Sequence, residues 1–175
     1  AMNREDAGES DDFQVKRFLA SRSIALAMLG VPGIYLHSLF GSKNDAEAVL
    51  EEKQTRSINR MVIDEENLIS ALENPDTTTH KVAKGFGEMI AKRIKEKAFH
   101  PHADQKILNI SDKLFALIRS SVDKDEHILC ITNVANKEET IDITPEVTGI
   151  KTNSWYDILS GKTIFTNAGT LSLHL

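Results

Sequence analysis

An apolar segment bracketed by glycine and proline constrains the fold of this chain more than any other feature. Residues 30–42 read GVPGIYLHSLFGS, and within them Gly33–Phe40 is apolar without regular alternation of polar residues. A strand that is covered on both faces of a parallel sheet has this pattern. We therefore predict a buried parallel strand at Gly33–Phe40. A long polar loop, Lys43–Arg60, follows it, and loops of this length are often functional.

Helical patterns lie on both sides of this segment. Asp12 is suited to cap a helix that extends to about Leu29, where Gly30 ends it. Two further helices are predicted downstream, at Val62–Glu73 and Thr77–Ala98, and a short helix within the polar loop, at Asp45–Lys53, is the alternative to irregular structure there. One helix–strand–helix unit cannot form a parallel sheet by itself. We therefore expect the neighbouring strands to lie upstream of residue 1 in a longer protein.

The composition changes after residue 98. Short β-type runs alternate there with turn residues, and this spacing is typical of an antiparallel sheet or a small sandwich. The predicted strands are Lys106–Ile110, Leu114–Ser121, His127–Ala135, Glu139–Thr144, Ser154–Ile158 and Leu171–Leu175, with Lys162–Phe165 as a weaker candidate. The sequence thus divides into a disordered lead-in (1–12), an α-rich part (13–98) and an antiparallel β domain (99–175).

Charge and hydropathy argue against several classes of function. The 21 Lys and Arg residues are scattered and the net charge is −5, which disfavours a nucleic-acid partner. No window approaches the roughly 18 apolar residues of a membrane span, and the acidic first dozen residues do not resemble a secretion signal. Cys130, the single cysteine, lies in an apolar run and is predicted to be a small buried hydrophobe. These features favour a reducing cytoplasm.

Two other clusters of residue types were weighed as sites. His100 and His102 flank Pro101, but no further ligands are evident, so we predict no metal site and no cofactor. Trp155 and Tyr156 could form a platform for stacking sugars, although such a pair more often has one ring in the core. A non-catalytic carbohydrate-binding or scaffold β module is therefore the alternative function.

Gly30–Arg60 also carries a family resemblance. The segment GVPGIYLHSLFGSKND and the later TRSINR resemble the α-amylase superfamily, glycoside hydrolase family 13, and within it the sucrose-phosphorylase and glucosylglycerate-phosphorylase-like branch. Gly30, Pro32 and Tyr35 match the G-x-P-x-x-Y pattern of strand eight. Ala98–Ser121 resembles the junction with the C-terminal β domain of this group, and Ile128–Ile143 resembles the first strands of that domain.

The resemblance implies a fold and a reaction. The chain would be an α+β fragment, in which helix, strand eight and helices are the remnant of a (β/α)8 barrel that precedes the antiparallel β domain. The parent would be a retaining enzyme with two principal carboxylates about 5 Å apart. Phosphate would attack the glucosyl–enzyme and yield glucose 1-phosphate from a sucrose- or glucosylglycerate-like α-glucoside.

The catalytic carboxylates of this family lie on strands four, five and seven, and none of their motifs occurs in this sequence. The resemblance therefore implies no catalytic residue here and an inactive fragment. It also implies substrate-binding roles in the parent for Arg56, Asn44, Asp45 and His37, which belong to or precede the eighth loop at the active-site face. Leu36-His37-Ser38 replaces the glycine and acidic pair that follow the tyrosine in many hydrolases of the superfamily. This departure argues against a starch hydrolase and against a simple α-glucosidase.

A lone strand eight would lack its two neighbours and would expose apolar edges. We therefore expect the fragment to form a homodimer or to repack through the exposed surfaces of the barrel remnant.

Overall fold

The computed structural model describes residues 8–175. They form two compact units, one that comprises residues up to 22 together with 33–88, and one that comprises 23–32 together with 89–175. Most of the predicted lead-in, 1–7, lies outside the described residues, and the first helix already begins at Asp11. The domain boundary predicted at residue 98 stays a prediction about a longer protein.

Six helices are present among the described residues. They are α1 (Asp11–Ala27), α2 (Leu36–Phe40), α3 (Ala46–Glu52), α4 (Glu65–Glu73), α5 (Thr78–Arg93) and α6 (Pro145–Thr148), with short 3-10 helices at Thr55–Asn59 and Lys97–Phe99. Two aspartates, Asp45 and Asp64, cap helices α3 and α4. The Asp64 Oδ1 atom accepts a hydrogen bond from the Asn67 backbone N–H at 2.9 Å, because side-chain oxygens at N-caps satisfy free backbone donors.

The first unit has a small core between α1 and α5. Val15, Phe18 and Val82 are buried together, and Leu19 packs against them. A Cβ atom on Gly85 would lie only 2.7 Å from Leu19 Cδ1. Glycine at this position, which is unfavourable for helix propensity, therefore allows α5 to approach the Leu19 side chain of α1 closely.

The predicted buried strand at Gly33–Phe40 is wrong for this structure. Residues 31–35 are irregular and Leu36–Phe40 forms helix α2, which contains no buried residue. A parallel strand needs neighbouring strands to accept and donate its hydrogen bonds, and residues 8–88 contain no strand. Backbone groups of this segment form local hydrogen bonds instead; for example, Ser42 N donates to His37 O at 3.1 Å. The barrel remnant is therefore not confirmed, and the homodimer stays a prediction.

The second unit contains all the strands of the described chain. They are β1 (Asp104–Ser111), β2 (Leu114–Ser120), β3 (His127–Asn133), β4 (Thr140–Ile143), β5 (Ser154–Asp157), β6 (Lys162–Phe165) and β7 (Leu171–His174). All pairings are antiparallel and build three sheets, ordered β1-β2-β3, β4-β7 and β5-β6. The predicted antiparallel β region is confirmed, with strand boundaries close to those expected.

Strand β2 is the centre of the largest sheet and is buried on both faces. On one face, Ala116 and Ile118 pack with Leu108. On the other, Leu117 and Arg119 are fully buried, and the Arg119 Nη1 atom donates to the Ala27 carbonyl oxygen at the end of α1, at 3.2 Å. One face of the three-stranded sheet therefore contacts the end of α1, and the apolar cluster on the other face is covered by Ile150.

No helix within residues 8–175 is both long and apolar enough to span a membrane. The cytoplasmic location stays a prediction.

Candidate functional site

The predicted substrate loop, residues 42–60, contains helix α3 and the 3-10 helix at Thr55–Asn59. Asp45 caps α3, with its Oδ1 atom accepting from Ala48 N at 2.9 Å. The Asp45 backbone N–H donates to Ile58 O, also at 2.9 Å. The beginning and the end of the loop are therefore tied together through one aspartate, whose carboxylate has a structural partner.

A second contact fixes the far side of the loop. Ser57 is 3% exposed, and its hydroxyl donates to Glu52 Oε2 at 2.5 Å. Because Ser57 follows Arg56 directly, this buried contact anchors the backbone next to the arginine. A buried hydroxyl without such a partner would be costly.

Arg56 itself is exposed, and its Nε–H donates to Gln54 Oε1 at 2.8 Å. A guanidinium has five N–H donors in a planar fork, so one bond to a glutamine leaves capacity for further acceptors. Arg56 and Asp45 are each held by neighbours in sequence. The structure thus places Asp45 at the start of α3 and Arg56 in the 3-10 helix at Thr55–Asn59, and orients each through its own local contact.

The other two predicted site residues differ in position. Asn44 is exposed and immediately precedes the Asp45 cap. His37 is half-buried in α2, with its ring centroid 5.1 Å from that of Tyr35 and the planes tilted by 37°. The substrate-binding roles of all four residues stay predictions.

Sequence reasoning missed a cavity of about 360 Å³ in the second unit. Its walls come from the end of α1, the C-terminal part of α5, strand β3 and the hairpin β5–β6, together with β7. Most lining side chains are apolar, and the polar or charged ones include Lys92, Arg93, Glu96, His127 and Asp157. No pattern in the sequence links these distant segments.

Cys130 lies on the cavity wall and is partly buried. Burial raises the pKa of its thiol to about 12, so the group is a neutral thiol at physiological pH. This agrees with its predicted role as a small hydrophobe, because an unreactive cysteine packs like one.

Trp155 and Tyr156 do not form one platform. Successive residues of a strand face opposite sides. Both residues contribute to the cavity lining, but Trp155 is half-buried whereas Tyr156 is 64% exposed. Because the two side chains leave opposite faces of β5, they do not form one shared sugar-stacking surface.

Two arginines next to the cavity contact the aromatic ring of Phe99. The guanidinium carbons of Arg93 and Arg119 lie 5.1 and 5.8 Å from the ring centroid of Phe99. Burial lowers the pKa of both side chains, and proximity to Arg93 lowers that of Arg119 further. A sequence signal existed for one of them, since Arg119 interrupts the apolar run LFALIRS of a central strand.

No group of three or more His, Cys, Asp or Glu side chains within residues 8–175 is arranged to hold a metal ion. The rings of His100 and His102 are 5.6 Å apart, centroid to centroid.

Comparison with known proteins identifies relatives of this chain. No family model matches it. The glucosylglycerate phosphorylase of Spirochaeta thermophila is 38% identical over 126 residues, 72% of this chain and 22% of that protein. The glucosylglycerate phosphorylase of Allomeiothermus silvanus is 30% identical over 141 residues, 81% of this chain and 25% of that protein. The resemblance seen in the motifs is confirmed. The chain spans about a quarter of the length of these relatives, and the match lies in their C-terminal part.

Solved structures share the fold. AmyP in complex with maltose superposes with a TM-score of 0.75 over 98% of this chain and 35% of that chain, at 11% identity. An Anoxybacillus α-amylase superposes with a TM-score of 0.67 over 93% of this chain and 30% of its own, at 14% identity. At such low identity the likeness concerns the fold alone, which is that of part of an α-amylase.

Proposed function

We propose that this chain is the C-terminal part of a retaining α-glucoside phosphorylase that acts on a glucosylglycerate- or sucrose-like substrate. The observation that carries the proposal is the 38% identity to a glucosylglycerate phosphorylase over 126 residues. In the complete protein, phosphate would displace the sugar from a glucosyl–enzyme intermediate and release glucose 1-phosphate. The motif-bearing carboxylates belong to other parts of that protein, so the chain alone would bind weakly and turn nothing over.

Within this proposal, residues 42–60 form one wall of the glucosyl subsite. Two geometric features support that role. The turn is fixed at both ends by Asp45 and by the Ser57–Glu52 contact, and Arg56 presents an exposed guanidinium from it. A fixed backbone that presents an exposed arginine suits hydrogen bonding to sugar hydroxyls and to a partner carboxylate.

A chimaera tests the proposal directly. The matching segment of the Spirochaeta thermophila enzyme is replaced by this chain, and glucose 1-phosphate formation from glucosylglycerate and phosphate is measured. We expect the chimaera to catalyse phosphorolysis and Arg56→Ala to lower its kcat/KM by about 100-fold, the size of a lost charged hydrogen-bond donor at a subsite.

The matched control is Arg60→Ala, which removes a second exposed arginine of the same loop and should leave kcat/KM within about twofold. A folded chimaera that releases free glucose without any dependence on phosphate would contradict the phosphorylase assignment. Equal losses in the two variants would contradict the specific role of Arg56.

A further inference from the structure

The cavity of the second unit is large enough for a small organic molecule. Its volume is about 360 Å³, whereas an apolar cavity of about 150 Å³ already accommodates benzene. Its walls include Leu26, Met89, Ile128, Trp155 and Leu173, which are apolar or aromatic. Ligand sites of proteins combine such walls with a few placed polar groups. The size and lining suit a body of one or two rings, or a short branched chain.

Two arginines next to this cavity, Arg93 and Arg119, have no carboxylate partner among the described residues. Within residues 8–175 neither Arg93 nor Arg119 forms an ion pair, and their recorded hydrogen bonds go to backbone carbonyl oxygens. The acceptors of Arg93 are the carbonyl oxygens of Leu26, Gly30 and Phe99, and those of Arg119 are the carbonyl oxygens of Asp104, Ala27 and His100. Carbonyl dipoles at the end of α1 offset part of the charge. Buried cations are nevertheless normally paired with an anion.

Arg93 retains a donor for such an anion. Its Nε atom donates to Leu26 O at 2.7 Å, and its Nη2 atom donates to Gly30 O and Phe99 O. Among the described residues the Nη1 atom has no hydrogen bond, and Arg93 lies on the cavity wall. Lys92 adds a second positive charge there, although its ammonium is bound to the carbonyl oxygens of Ile158 and Leu159.

Among the described residues, the two carboxylates on the wall form no ion pair with these cations. Asp157 accepts hydrogen bonds from the Leu159 backbone and the Ser160 hydroxyl within its own turn. Burial raises the pKa of Glu96, and the neighbouring Glu126 raises it further. The cavity wall therefore has two cations that carbonyl oxygens hold in place and two carboxylates that are not paired with them.

We propose that this cavity binds a small organic anion, with a compact apolar body inside the cavity and a single carboxylate paired with Arg93. Sugars and inorganic phosphate do not fit this description, because the apolar lining cannot replace the hydration of their polar groups. The proposal is independent of the function proposed for residues 42–60, which lie in the other unit.

Matched ligands test the pairing on the full chain. Calorimetric titrations use 4-phenylbutyrate and the neutral 4-phenylbutan-1-ol, with inorganic phosphate as a third ligand. We expect saturable binding of the carboxylate, at least about tenfold tighter than that of the alcohol, since hydrogen bonds to charged groups have about this strength. Phosphate should not bind. Trp155, the single tryptophan, should change its emission on binding because it lines the cavity.

Substitutions of cavity-lining residues test whether the ligand binds in this cavity. Ile164→Phe fills part of the cavity and should weaken 4-phenylbutyrate binding about tenfold. The control is Thr163→Phe, at the exposed neighbouring position of the same strand, which should bind as wild type. Arg93→Met should abolish the preference for the carboxylate over the alcohol.

Three results would overturn the proposal. The first is equal affinity for the two phenyl ligands in the wild-type chain. The second is unchanged affinity in Ile164→Phe. The third is the absence of carboxylate binding at concentrations up to about 1 mM, the range of weak specific ligands. If Arg93→Met does not fold, the ligand pair and Ile164→Phe still decide the question.

Discussion

Strand β2 and the segment Gly33–Phe40 have similar apolar sequences but different environments. In Leu114–Ser120 five of seven residues are buried, and the strand pairs with β1 on one side and β3 on the other. In Gly33–Phe40 no residue is buried, and Ile34, Tyr35 and Leu36 are 40%, 52% and 56% exposed. An apolar run becomes a buried strand only where partners cover its edges and faces.

The partners of β2 are close in sequence. Short turns join it to β1 and β3, so hairpin formation needs little loop-closure entropy. A parallel strand at Gly33–Phe40 would need partners that are distant along a chain, since parallel strands are joined by crossovers of a dozen or more residues. The comparison therefore separates burial that is achieved locally from burial that depends on distant segments.

The largest expected effect tests how β2 is covered. Arg119→Leu removes a fully buried guanidinium that donates to three backbone carbonyl oxygens. We expect the free energy of unfolding to fall by about 3 kcal/mol, because the carbonyl oxygens of Ala27, His100 and Asp104 lose their charged donor. Urea denaturation followed by circular dichroism measures the change.

The control for this variant is Arg60→Leu, an exposed arginine, which should change the free energy of unfolding by less than about 0.5 kcal/mol. Equal effects of the two substitutions would show that the burial of β2 does not depend on the arginine.

A substitution at Gly41, next to Gly33–Phe40, should have an intermediate effect on the free energy of unfolding. Gly41 ends α2 with φ of 62°, and a Cβ atom there would lie 2.9 Å from Val82 Cγ2 in the core of the first unit. Gly41→Ala should therefore lower the free energy of unfolding by about 2 kcal/mol through backbone strain and the clash. Thermal unfolding of the variant measures it.

Gly33→Ala is the matched control for that substitution. Gly33 has no positive φ and no atom within 4 Å of its added Cβ. This variant should be neutral or stabilised by up to about 1 kcal/mol through the unfolded chain. A neutral Gly41→Ala would instead indicate that α2 is not held in the way the structure shows.

The smallest expected effect concerns the turn that joins β2 to β3. A hydrogen bond from Ser121 lowers the pKa of Asp123 to about 2. The unfolded value is about 3.9, so the ionised carboxylate stabilises the fold above about pH 4, and this contribution is lost as the pH falls towards 2. A carboxyl titration by NMR should place Asp123 near pH 2.

Asp123→Asn should remove the corresponding pH dependence of stability in that window, while its difference from wild type stays constant above about pH 4. A wild-type Asp123 that titrates near 3.9 would show that the turn does not stabilise its charge and contributes nothing to the pairing of β2 and β3.

Much of the local structure could be predicted from the sequence. Asp64 could be predicted as a cap because short acidic side chains before apolar periodic segments have a specific hydrogen-bonding role. The cap predicted at Asp12 is wrong, because α1 already begins at Asp11 and Asp12 lies in its first turn. All seven strands were predicted, including the weaker Lys162–Phe165, because turn residues separate them. The candidate loop was found through its motif, and the structure adds the contacts that hold it.

Other features could not be predicted, for one common reason. The helix at Leu36–Phe40, the cavity and the pair of arginines that contact Phe99 each depend on which distant segments meet. Arg93 and Arg119 are 26 positions apart in sequence, and both contact Phe99 because the end of α5 and strand β2 lie in the same unit. No periodicity or spacing encodes such a meeting.

The sequence by itself determined the cap at Asp64, the hairpins and the resemblance of Gly30–Arg60 to a glycoside-active family, since these depend on residues within one or two turns of each other. Only the tertiary structure decided whether an apolar run is buried, which side chains line the cavity and where buried charge accumulates. Burial and desolvation are properties of packed surfaces. They are therefore set by the partners of a segment rather than by the segment alone.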